Sequence, residues 1–182
     1  MNTSPATITL AALGTLGIML AGCSGPVAGT AQPGKPATSV SAPPSGNPFA
    51  ARNQCALLDQ ILAGQGFPKA TPSIADEKRA CASQKPSTGT TSSIDVAIAL
   101  QDGQLYTDNI LRPDTARRGD INGRPSIEQP SPQNTTGQCQ VGMAVEPRSR
   151  ALVLVSSDLS TAEACAQAEK YATALEPLLP KG

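Results

Sequence analysis

The sequence predicts an α+β domain over residues 53–182, an antiparallel sheet with helices packed on it and stapled by two disulfides. Three observations lead there. Two stretches alternate apolar and polar residues with a period of two. Two others repeat apolar residues at helical spacing, and four cysteines, three of them within these stretches and Cys81 on a further candidate strand, can tie the elements together.

The first element is a helix in "NQCALLDQILAGQGFP", where Leu57, Leu58, Ile61 and Leu62 fall on one face. Asn53 can accept the orphan amides of its first turn, Gly64 can take the left-handed turn at its end, and Pro68 forbids continuation. Lys78 to Gln84 reads as a strand. "SSIDVAIALQ" sets Ile94, Val96, Ile98 and Leu100 against Asp95, Ala97, Ala99 and Gln101, the signature of a strand with one face covered. A short helix is expected around Gln104 to Leu111 and a strand over Asp120 to Gln129. "QCQVGMAVE" alternates again, with Cys139, Val141, Met143 and Val145 on one side. "RALVLVS" is apolar on both faces, as in a strand that lies centrally, and Pro147 to Ser149 marks a hairpin between the two. The last helix opens on Ser160-Thr161-Ala162-Glu163, a capping box, and repeats Cys165, Ala168, Ala172 and Leu175 before Pro177 stops it.

Cys55 and Cys139 each lie 26 residues before a second cysteine, Cys81 and Cys165. Of the three possible connectivities, local closure as Cys55–Cys81 and Cys139–Cys165 is the simplest, and it ties one helix to the sheet at each site. No Cys-x-x-Cys occurs, so a redox centre or a zinc ribbon has no support.

The fifth cysteine belongs to a different segment. Residues 1–22 read as a signal peptide whose apolar run, Ile8 to Leu20, is too short to span a bilayer. Leu20-Ala21-Gly22-Cys23 resembles the bacterial lipobox, in which the cysteine is acylated and the chain is cut before it. Two or more acyl chains anchor stably, since each buried methylene contributes roughly 0.8 kcal/mol. Residues 23–52 are rich in Gly, Pro, Ser and Thr and poor in large apolar residues, so they read as a disordered tether after the lipidated Cys23. Phe49 is assigned to this tether. The expected location is the extracytoplasmic face of the cell membrane.

Composition removes several function classes. The chain has no His, so the usual general base and the commonest metal ligand are missing. Lys and Arg total 14 against 14 Asp and Glu, which gives no basic excess for nucleic acid. No Gly-x-Ser-x-Gly elbow, Ser-x-x-Lys pair or phosphate loop is present. The reading is therefore non-enzymatic, with no cofactor and no metal. Arg118-Gly119-Asp120 is taken as a solvated turn, and "RGDINGRPSIEQ" fails as a calcium loop because Arg118 and Gln129 stand where acids are needed. Arg124, in Gly123-Arg124-Pro125-Ser126, is the candidate binding residue. Its fork of donors can hold an anionic group, or pair with an acid of the protein itself.

The order of these features, lipobox, Pro-rich tether, "CALLD", a second cysteine before an alternating strand, "INGRPS" ahead of "CQVGMAV", and a closing "EACAQAEKYATALEPLLP", resembles a family of actinobacterial four-cysteine lipoproteins carrying a domain of unknown function. The chain departs from that pattern at Ala82, where a Trp often follows the second cysteine. The resemblance implies exposure on the cell envelope and brings no established activity to carry over. The expectation is thus a cell-envelope lipoprotein that acts as a binding or interaction module for an envelope protein or envelope component. The alternative is a carrier of a small apolar ligand or lipid, with Val96, Ile98, Val141 and Met143 lining a cavity between sheet and helices.

Overall fold

The computed structural model describes residues 46–181; the segment expected to be a signal peptide, Cys23 and most of the expected tether lie outside them. In chain order the elements are α1 (Gln54–Ile61), β1 (Thr71–Pro72), β2 (Ala80–Lys85), β3 (Ile94–Asp102), β4 (Arg117–Ile121), β5 (Arg124–Pro130), β6 (Gln138–Glu146), β7 (Ser149–Ser157) and α2 (Thr161–Leu175). A single 3-10 turn, Glu176–Leu178, follows. The strands form one sheet in the order β1-β2-β3-β7-β6-β5-β4, with every neighbouring pair antiparallel. This is the expected α+β class, with an antiparallel sheet, two helices and both disulfides.

Register explains why one face is closed. Val96 pairs with Val155, Ile98 with Val153 and Leu100 with Ala151, while Val141 and Met143 meet Val153 and Ala151 from the other side. All of these are buried, because successive strand residues alternate faces and the apolar set of each strand lands on the same one. α1 covers β2 and β3 on that face, and α2 covers β6 and β7. Cys55–Cys81 and Cys139–Cys165 fasten one helix each, with Cα atoms 5.1 and 4.9 Å apart. β7 is the fourth of seven strands; its Ala151, Val153 and Val155 are buried on the helix-covered face, and Leu152 and Leu154 on the other face are half-buried.

The helix boundaries follow from their caps. The Asn53 side chain accepts the Ala56 amide at the start of α1, and the chain turns left-handed at Gly64 (φ +74°) after it. At α2 the full capping box forms. The Ser160 hydroxyl and amide hold the Glu163 carboxyl below the usual carboxylate range. A lowered pKa in the folded state means that this cap stabilises at neutral pH and is lost as pH falls through that value.

Four expectations are corrected. Phe49 does not belong to the tether: it is buried in the core ahead of α1, so ordered structure begins before Asn53. Asp120 to Gln129 is not one strand but part of a hairpin. Asn122 and Gly123, both left-handed at φ +52° and +83°, form its two-residue turn. This is the backbone that matches the twist of paired strands. Arg118-Gly119-Asp120 accordingly lies on the solvent-exposed edge strand β4 rather than in a turn. Finally, Gln104 to Leu111 is not a helix. Asn109 is left-handed (φ +58°), and the carbonyls of Leu105 and Asp108 accept from the Arg150 side chain, which removes acceptors a helix would need.

Among the described glycines, Gly137 would bring an added Cβ closest to its neighbours. It has φ +77°, and a Cβ there would collide with the Ser157 carbonyl oxygen and sit 2.8 Å from that of Leu159. Gly137→Ala is expected to destabilise the fold by more than about 2 kcal/mol, combining left-handed strain with a backbone clash. Urea denaturation would read it; an unchanged midpoint would show that the turn relaxes freely.

Candidate functional site

At the end of the sheet where β5 begins and β6 ends, the two strands part. Their ladder starts only at Ser126↔Met143, and Pro125 has no N–H with which to extend it. Arg124 bridges the gap. Its Nη1 donates to the Ala144 carbonyl (2.9 Å), its Nε to Glu176 Oε1 (3.1 Å) and its Nη2 to the Pro180 carbonyl (3.0 Å). The second oxygen of Glu176 accepts from Asn122 Nδ2. The Arg124–Glu176 side chains are only 11% and 17% exposed, so the pair is shielded from water. Of the two roles open to Arg124, grip on an external anion or pairing with an acid of the protein itself, the structure has the second. The fork holds the protein's own acid and carbonyls, and pins the C-terminal segment across the end of the sheet.

A second arginine does the matching work on the opposite face. Arg150, at the start of β7, is buried with 5% exposure. Its Nε donates to Gln101 Oε1, its Nη2 to Gln104 Oε1, and its Nη1 to the carbonyls of Leu105 and Asp108. Burial pushes its pKa down, the Asp108 charge pushes it up and nearby Arg79 pushes it down again; the group stays cationic, as guanidinium does in proteins. These bonds lay the loop after β3 over the sheet. The loop passes so closely that a Cβ on Gly142 would meet the Tyr106 carbonyl oxygen at 3.2 Å, and glycine is what fits there. Leu111 N–H reaches the buried Gln129 side chain at 3.3 Å and fixes the far end of the same loop.

Between these two pinned segments lies a cleft of about 740 Å³. Leu105 and Tyr106 form one wall, Glu176, Pro177, Leu179 and Lys181 the other, and Pro125 with Ala144 to Pro147 the floor. The lining is chiefly apolar. Arg124 and Glu176 neutralise each other, whereas Glu146 and Lys181 make no ion pair among the described residues.

Val96, Ile98, Val141 and Met143 do not line this cleft. They are 0–2% exposed in the packed core under the helices, so the cavity that the alternative reading would place at these four residues is closed core instead. Glu128 comes near Cys139 and Cys165, within 4.8 Å, but those sulfurs are spent in a disulfide and offer no thiolate to a metal. Sequence reasoning missed Tyr106, Glu146, Leu179 and Arg150. Only Arg150 carried a signal, as the charged residue opening an otherwise apolar strand.

No curated protein and no solved structure matches the chain. Residues 18–178, however, match the family described as Protein of unknown function (DUF3558), and the chain therefore belongs to that family.

Proposed function

We propose that this protein is a non-enzymatic lipoprotein of an actinobacterial cell envelope, held by acylated Cys23 at the outer face of the cytoplasmic membrane, and that it acts there as a binding module through the end cleft. The observation that carries this reading is the cleft itself. Its 740 Å³ falls within the roughly 300–1,000 Å³ of ligand pockets, and apolar walls with a few fixed polar groups are their usual make-up. Both walls are held by arginine side chains largely shielded from water rather than left as mobile loops, which lowers the ordering cost of binding. The family match begins at residue 18 and so takes in Leu20 to Cys23, and the absence of His fits a site without proton-transfer work.

The test is crosslinking on intact cells with a photoreactive residue in place of Tyr106, followed by purification and mass spectrometry. An envelope component captured at the cleft is the expected result. Cys23→Ala should lose that capture and leave the membrane fraction; a variant still in the membrane fraction would overturn the anchor. The second reading, a carrier of a small apolar ligand or lipid, is favoured by one further observation. The gap between β5 and β6 is already closed by Arg124, so an extended peptide finds no open ladder to join there.

A further inference from the structure

We infer that the end cleft selects small amphiphiles with a cationic group on an apolar body, and that Glu146 is the residue that reads the charge. This rests on the carrier reading above. The apolar walls set the body of the ligand; the charges decide its head group. Four charged side chains line the cleft, and two of them are spent. Arg124 and Glu176 sit 3.1 Å apart, shielded from water, with all three guanidinium nitrogens bonded to the protein. An anionic ligand would have to break that set to use Arg124.

Glu146 is different. It is the last residue of β6, half-buried, next to the register shift between Ala144 and Glu146, a feature that re-aims strand side chains. Arg148, in the turn that follows it, donates instead to the Gly103 carbonyl at 3.1 Å. The carboxylate is thus left without an ion partner among the described residues. A neutral ligand would desolvate it uncompensated, and an anion would be repelled. A protonated amine would satisfy it with a charge-assisted hydrogen bond. Lys181 does not reverse the preference. It is exposed at the rim of the cleft on a long flexible stem and can turn its ammonium into water, while Glu146 is half-buried at the end of a sheet strand.

The experiment is calorimetric titration of octylammonium, octanol and octanoate into the full chain in phospholipid nanodiscs, with empty nanodiscs subtracted. Octylammonium is expected to bind at least about tenfold more tightly than octanol, with octanoate weakest, the fold-change of one charge-assisted bond. Glu146→Gln should bring octylammonium down to the level of octanol without moving the melting midpoint, and Lys181→Gln should leave the order intact. Octanoate binding as well as octylammonium, or a preference that survives Glu146→Gln, would overturn the assignment while leaving the carrier reading standing. Failure of all three probes to bind would overturn both.

Discussion

Removing both disulfides, by Cys55→Ala with Cys81→Ala and Cys139→Ala with Cys165→Ala, should leave the domain unfolded at 37 °C. Each bridge closes a loop with a sequence separation of 26, and loop-closure entropy assigns roughly 3.5 kcal/mol to each. Against a total stability of about 5–15 kcal/mol, one pair lost is a large fraction and two are decisive. The two are not equivalent in kind. Cys139–Cys165 ties α2 to β6 beneath the centre of the core, whereas Cys55–Cys81 ties the short α1 to β2 near the edge. α1 has eight residues and is too short to persist alone, so it depends on its bridge more than the fifteen-residue α2 does. Removing Cys55–Cys81 alone should release α1 locally, seen as faster amide exchange over Gln54–Ile61. Removing Cys139–Cys165 alone should lower the global urea midpoint. A doubly substituted chain that keeps its native midpoint would refute the stapling account.

The core of this fold is legible in the sequence because it follows simple periods. β3 and β6 alternate cleanly, α2 is announced by its capping box, and local closure of the cysteines puts both bridges where they stand. The losses have physical causes. Asn122-Gly123 sits inside a stretch whose flanks share one strand-like composition, so the turn that divides β4 from β5 was absorbed into a single strand. The segment Gln104–Leu111 has helix-compatible residues, but a distant arginine takes its carbonyls, a tertiary contact that no local pattern records. Phe49 is apolar within a Pro- and Gly-rich context, and composition there outweighed the one residue able to reach the core. The cleft was unreadable for the same reason. It is assembled from four short segments, each unremarkable alone, and the fork of donors on Arg124 does not by itself say that the acid it meets is Glu176, 52 residues away.

Arg150→Met should cost about 3 kcal/mol and dissolve one wall of the cleft. Methionine fills much of the same volume, so the loss reports hydrogen bonds rather than a cavity. Four acceptors, Gln101 Oε1, Gln104 Oε1 and the carbonyls of Leu105 and Asp108, would lose their common donor at a site that is 5% exposed. Arg150→Lys should recover only part of this, because three donors on a single ammonium cannot span acceptors arranged for a planar fork. The effect should be uneven along the chain. β3, β6 and β7 keep their apolar pairings, whereas residues 103–116 have few other ties to the sheet beyond the Leu111 to Gln129 bond. Hydrogen exchange should therefore accelerate most over this loop, and capture at Tyr106 should fall with it. Exchange that rises uniformly across the sheet would make Arg150 a general stabiliser of the fold. Exchange confined to the loop would identify it as the residue that positions the binding wall, paired across the sheet with the pin Arg124 supplies on the other side.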